Sequence, residues 1–216
     1  QSLNHQLDKG NHFEDCGDTI TDCRDGQKYA TVCIGDQVWM AENLNWAGAG
    51  VTYDNIPANG DVYGRLYTWS EATNDSSSAA NPSPVQGVCP CEWHIPSKSE
   101  WLELITELGG PTVAGGKMKT TTPDWQAPNV EASNSSGFSG LPGGYMGYID
   151  FEGEWKFAQK GYNSLYCIGT LDSTKIYHYY QVYYALSTEN AQIIQGPFGS
   201  VSGKWGTYVR CVKDKE

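Results

Sequence analysis

Seven cysteines in 216 residues, with no CxxC pair among them, constrain this chain more than any other feature. They are Cys16, Cys23, Cys33, Cys89, Cys91, Cys167 and Cys211. A zinc ribbon or a thioredoxin-type site needs cysteines with two residues between them, so neither fits. Seven is also too many for an ordinary chain of this size kept reduced. Disulfides are the better reading, and they imply an oxidising compartment. The count is odd, so one thiol is left free or pairs between chains.

The charge balance narrows the partners. Fourteen Lys and Arg stand against 25 Asp and Glu, a net charge of −11. A polyanion repels phosphate backbones and anionic membrane surfaces, so nucleic acid is excluded as a partner. Lys and Arg do not cluster, so no basic patch hides within the acidic total. No run of about 18 apolar residues exists, and direct membrane insertion is not expected. The chain starts at Gln1, as a mature chain does after signal cleavage. An extracellular location, secreted or attached to the cell surface, is therefore expected.

The order of segments suggests one domain. Residues 1–19 are polar and aperiodic and read as a tail or linker, with a single domain over 20–216. Two short alternating runs flank Asp25-Gly26, a hairpin-turn dipeptide. Trp39, Met40, Leu44 and Trp46 follow as core candidates, and residues 47–62 read as loop. Leu66, Trp69 and Ala72 share a helical spacing, which predicts a short helix within 62–73. The strongest local signal is IPSKSEWLELITELGG. Ser97 and Glu100 form a capping box, Trp101, Leu102, Leu104, Ile105 and Leu108 make an apolar stripe, and Gly109-Gly110 stops the helix. A helix over 98–108 is predicted, with Glu100, Glu103 and Glu107 on a solvated face. From Gly115 onward, glycine and proline punctuate short aromatic stretches, which read as strands and long loops.

Several of these segments resemble one family. They are DCRDGQKYATVCIGDQVWMAENLNW (22–46), YGRLYTW (63–69), CPCEWHIPSKSEWLEL (89–104), SGFSGLPGGY (136–145) and YVRCVKD (208–214). In that order they resemble the signatures of the Fibrobacter succinogenes major paralogous domain, found on secreted and surface proteins of Bacteroidota and Fibrobacterota. The resemblance implies an α+β, C-type lectin-like fold with two helices, small mixed sheets and long loops. It also implies a Cys89–Cys211 disulfide, joining the CP before the helix to the RC of the last strand. Cys16 is then expected to pair with Cys23 or Cys33, and Cys91 to reach Cys167. The chain departs from the family pattern at Cys91 and Glu92, at Cys167-Ile168-Gly169-Thr170, and at Cys23 and Cys33. The family has no established general activity, so the resemblance speaks to fold more than to function.

The sequence offers little for catalysis. His94 precedes the capped helix, where a buried structural role is expected. No GxSxG elbow is present. Asp150, Glu152 and Glu154 read as a charged turn rather than a glycosidase pair. The EPN and WND calcium motifs of sugar-binding lectins are missing, as is the close C-terminal cysteine pair of formylglycine-generating enzymes. No enzyme, metal or cofactor is expected. The positive feature is aromatic. In KIYHYYQVYYALS an extended chain sets Tyr177, Tyr179 and Tyr183 on one face and Tyr180 and Tyr184 on the other. Two faces with so many hydroxyls are not easily both core. Tyr177, Tyr179, Tyr180, Tyr183, Tyr184 and Trp205 are therefore the expected ligand-binding residues, with Glu189 and Asn190 as polar anchors. The expected function is recognition of a glycan or a partner protein. The alternative is a structural subunit that assembles with copies of itself through the same face.

Overall fold

The computed structural model describes residues 16–149, 153–172, 180–200 and 205–214. The chain opens as a meander. Strand β1 (Thr19–Thr21) turns at Asp25-Gly26 into β2 (Lys28–Ile34), with Thr21 opposite Lys28. Gly35-Asp36 then makes a two-residue hairpin to β3 (Gln37–Met40), pairing Ile34 with Gln37. Gly35 sits at φ +58°, which such a tight turn demands and a residue with a Cβ resists. Next come β4 (Val51–Thr52), a 3-10 turn (Tyr53–Asn55), α1 (Pro57–Tyr63), β5 (Arg65–Thr68) and α2 (Trp69–Thr73). Strand β6 (Trp93–His94) leads to α3 (Lys98–Glu107) and α4 (Ala114–Met118). The rest is strand: β7 (Tyr145–Ile149), β8 (Glu154–Ala158), β9 (Asn163–Asp172), β10 (Tyr180–Ser187), β11 (Ile194–Ser200), β12 (Trp205–Tyr208) and β13 (Val212–Lys213).

The strands form two sheets. The smaller has the order β1-β2-β3-β13-β6. The larger runs β11-β10-β9-β12-β5-β4, with β7 also pairing β12 and carrying β8. Among the described residues strand far exceeds helix, so the architecture is mostly β. This corrects the expected α+β, C-type lectin-like fold. Its two helices become four short α-helices, and its small sheets become one broad sheet anchored on the long strands β9 and β10.

Strands β5 and β9 of the larger sheet each feed two cores by alternation. Leu66, Tyr166, Tyr184 and Tyr208 face one core, where Trp101 of α3 is the hub. Its indole lies 5.0 Å from Trp39 and from Tyr184, and 5.7 Å from Tyr166. Tyr67 and Cys167 face the other core, with Trp69, Trp93 and Ile95. The helix predicted within 62–73 is present only as α2 over 69–73, and its earlier part is corrected to strand by this alternation. Leu66 and Trp69 share a helical spacing, yet they belong to different cores, because 65–68 is a strand between β12 and β4. Helix α1 occupies 57–62 of the expected loop region and ends just past it at Tyr63, and α2 starts afresh behind its own capping box of Thr68 and Glu71.

Helix α3 carries its capping box as read: Ser97 accepts from the Glu100 amide, and Glu100 Oε2 accepts from the Ser97 amide at 2.9 Å. Glu100 itself is not on a solvated face. It is 1% exposed, because the box turns its carboxylate inward, where Ser83 N–H and His94 also meet it. Two disulfides are closed, Cys89–Cys211 and Cys16–Cys33. Cys91, expected to reach Cys167, does not: Cys91 is exposed, while Cys167 is buried in the second core.

Candidate functional site

Strand register decides which aromatics reach the surface. Trp205 pairs with Gly147 and Gly206 with Met146, while Tyr208 pairs with Tyr166. Met146, Tyr166 and Tyr208 belong to the Trp101 core, so their neighbours Tyr145 and Trp205 point the other way. On β10, Tyr184 pairs with Tyr166 and enters the same core, so Tyr183 joins Tyr145 and Trp205 on the opposite face. The second core covers the middle of that face at Tyr67 and Cys167. Beyond it, Tyr145, Tyr183 and Trp205 remain half-buried.

Two glycines make room for these rings. A Cβ at Gly147 would lie 2.7 Å from the Trp205 indole, so the ring rests against bare backbone. A Cβ at Gly196, opposite Tyr183 in the β10–β11 pair, would collide with the Tyr183 phenol. Tyr145 stands beside the indole, with ring centroids 5.6 Å apart. Burial raises the Tyr183 pKa, and the neighbouring Tyr145 adds to the rise. The Tyr183 phenol is therefore neutral over the physiological range.

The expected ligand residues divide. Tyr183 and Trp205 are on this face. Tyr184 is not: it is 2% exposed and packs on Trp101, because alternation sends every second residue of β10 into the core. Tyr180 opens β10 opposite Asp172 and Ser200. Tyr177 and Tyr179 lie outside the described residues, as do Asp150 and Glu152 of the charged turn. Glu189 and Asn190 close the turn after β10 rather than flanking the rings. The Asn190 carboxamide oxygen accepts from the Gln192 amide at 3.0 Å, and its carbonyl accepts from Lys119 Nζ at 2.9 Å. Tyr145 was missed by sequence reasoning. Its signal was the alternation Tyr145-Met146-Gly147, in which a small residue shares a strand face with an aromatic.

The groups that resemble catalytic machinery are otherwise engaged. His94 Nδ1 lies 2.6 Å from Asp214 Oδ1, and Nε2 lies 2.7 Å from Glu100 Oε1. Both ring nitrogens are held by carboxylates, so neither is open to activate a nucleophile. Burial alone would lower the His94 pKa, but hydrogen bonds and charge from Glu100 and Asp214 outweigh it, and the pKa stands above its ordinary value. A raised folded-state pKa gives stability that is fully present below about pH 6.5 and lost as pH rises through the folded value. Urea midpoints measured across that range should fall with rising pH in the native chain, and His94→Gln should flatten the curve. Cys167 is equally inert. Burial pushes its thiol pKa up to about 12, so it holds no thiolate at neutral pH.

A groove opens beside β2, α1 and the Arg210 side chain. This groove, about 560 Å³, is lined by polar side chains that include Lys28, Glu42, Asn45, Asp61 and Thr122. Glu42 already accepts from the Ala30 amide at 2.7 Å, and the Asn43 amide is spent on Tyr63 O and Arg210.

A family model described as the Fibrobacter succinogenes major domain matches residues 32–213. No curated protein and no solved structure matches the chain.

Proposed function

Because the chain belongs to the Fibrobacter succinogenes major domain family, over nearly its whole length, we propose that it is an extracellular, non-catalytic recognition module whose ligand is a glycan. One observation carries the reading: Tyr145, Tyr183 and Trp205 gather on one sheet face, with Gly147 and Gly196 cleared beneath the rings. Aromatic faces stack on the C–H surfaces of sugars, and Tyr and Trp do so at low entropic cost, since few torsions are frozen. The rings stand on paired strands, which favours preorganisation. A chain with net charge −11 selects a neutral or cationic ligand over a polyanion. The two disulfides support an oxidising, extracellular setting. Among the described residues no helix is long and apolar enough to cross a membrane.

The test is binding of the full chain to an array of neutral polysaccharides and oligosaccharides, followed by titration of hits through Trp fluorescence. Trp205→Ala and Tyr183→Ala should each weaken binding at least about tenfold, or ~1.4 kcal/mol, with a melting temperature close to native. A chain that binds no glycan, or variants that lose only thermal stability, would make these rings packing residues. Ordered polymers that require Trp205 would instead make the face a contact between copies of the chain.

A further inference from the structure

Three cysteines stand outside the two closed disulfides: Cys23, Cys91 and Cys167. Cys167 is sealed in the core. The other two are exposed, and their sulfur atoms are 3.3 Å apart although 68 residues separate them in sequence. That gap is roughly 1.3 Å longer than a disulfide bond, a distance a small side-chain rotation closes. We infer that Cys23 and Cys91 form a third disulfide, at the surface, and that Cys167 alone remains a thiol.

The approach of the two sulfurs is built from both sides. Cys23 rides on a tight turn in which the Asp22 amide donates to Gln27 O and the Gly26 amide donates to Asp22 O, both at 2.8 Å. Arg24 then moors that turn to the other loop. Its guanidinium grips Asp22 through Nε at 2.9 Å and Nη2 at 2.6 Å, donates from Nη1 to Val88 O at 2.8 Å, and lies 4.3 Å over the Trp46 ring. Val88 directly precedes Cys89, whose bond to Cys211 fixes the start of the Cys91 loop. The far end of that loop is held too, since the Asp214 amide donates to Glu92 O at 2.8 Å. Both thiols are thus presented, on anchored backbone, to each other and to solvent.

The chemistry is thiol–disulfide exchange with an oxidant of the disulfide class, either a small-molecule disulfide or the active disulfide of an oxidoreductase. One thiolate attacks the oxidant's disulfide, forming a mixed disulfide and expelling one oxidant thiolate. The second cysteine, as thiolate, then attacks the protein sulfur of that mixed disulfide and releases the other. Two protein thiols give up two protons and two electrons, one S–S bond forms in the chain, and the oxidant leaves as two thiols or, if an oxidoreductase, as its dithiol. The odd cysteine count is then explained without a link between chains. Six cysteines pair, and the seventh is the buried Cys167.

The full chain, equilibrated with oxidised glutathione, is denatured, alkylated and mapped without reduction. The expected products are a peptide cross-linked through Cys23 and Cys91, and alkylation at Cys167. Recovery of Cys23 and Cys91 as alkylated thiols, as glutathione adducts or in links between chains overturns the inference. Stepwise reduction should open Cys23–Cys91 at reductant concentrations at least about tenfold below those needed for the buried Cys89–Cys211, with the near-ultraviolet circular dichroism retained. In C23S, Cys91 should become alkylated beside Cys167. A Cys91–Cys167 bond in that variant would also overturn the assignment.

Discussion

Replacing Cys89 and Cys211 together by alanine is expected to cost roughly 5 kcal/mol of folding stability. The reason is the span. The bond joins residues 122 apart in sequence, so cutting it returns a large loop entropy to the unfolded chain. Alanine is the right replacement because both sulfurs lie in the second core, at 1% and 0% exposure. A domain is typically stable by about 5–15 kcal/mol, so the loss consumes a large part of the total. Urea unfolding of the double variant against the native chain measures it. The Cys16–Cys33 pair, with a separation of 17, should cost only about 3 kcal/mol when removed. The reverse ranking, or an unchanged midpoint for the long-range pair, would contradict the role assigned to this cross-link.

The second large effect is expected at Arg210. Its side chain is 1% exposed, yet its partners are neutral oxygens. Nε donates to Asn43 Oδ1 at 2.6 Å, Nη1 donates to Met40 O at 3.2 Å and to Phe138 O, and Nη2 donates to Ser139 O at 3.1 Å. The guanidinium also lies 4.3 Å over the Phe138 ring. Burial lowers its pKa to about 10, which still leaves it charged at neutral pH. One side chain thus ties the end of β3 and the Asn43 turn to the Phe138–Ser139 loop. Arg210→Met strands four buried acceptors, each costing about 1–3 kcal/mol. A loss of at least ~4 kcal/mol follows, or failure to fold. Arg210→Lys should not restore it, because an ammonium cannot present the planar fork that reaches all four oxygens. Yield of folded protein, near-ultraviolet dichroism and urea midpoints of both variants provide the check. Native-like stability in Arg210→Lys would show that charge alone suffices.

Local chemistry was legible from the sequence wherever it acts over a few residues. The capping box of Ser97 and Glu100, the stripe of Trp101, Leu104 and Ile105, and the turn at Asp25-Gly26 each reflect contacts within about one turn of chain. The long ordered motifs were enough to identify the family, and the period-two pattern of 177–184 correctly separated Tyr183 from Tyr184 onto opposite faces. The partners of those faces were not legible. Tyr184 is core because Trp101 sits opposite it, and Tyr183 is half-buried because the second core stops short of it. Residues 65–68 read as helix because Leu66, Trp69 and Ala72 repeat at helical spacing, but pairing with β12 and β4 overrides that local preference. Glu100 reads as a surface charge on a helical wheel, and only the arrival of His94 and Ser83 makes it buried. The cysteine spacings, likewise, say nothing of which sulfurs meet. Cys23 and Cys91 come within 3.3 Å because Arg24 bridges two loops far apart in the chain. Sequence by itself determined the elements whose energies are local and the family to which they belong. Tertiary structure decided strand order, the exposed aromatic face and the cysteine pairing, because each depends on contacts between residues tens of positions apart.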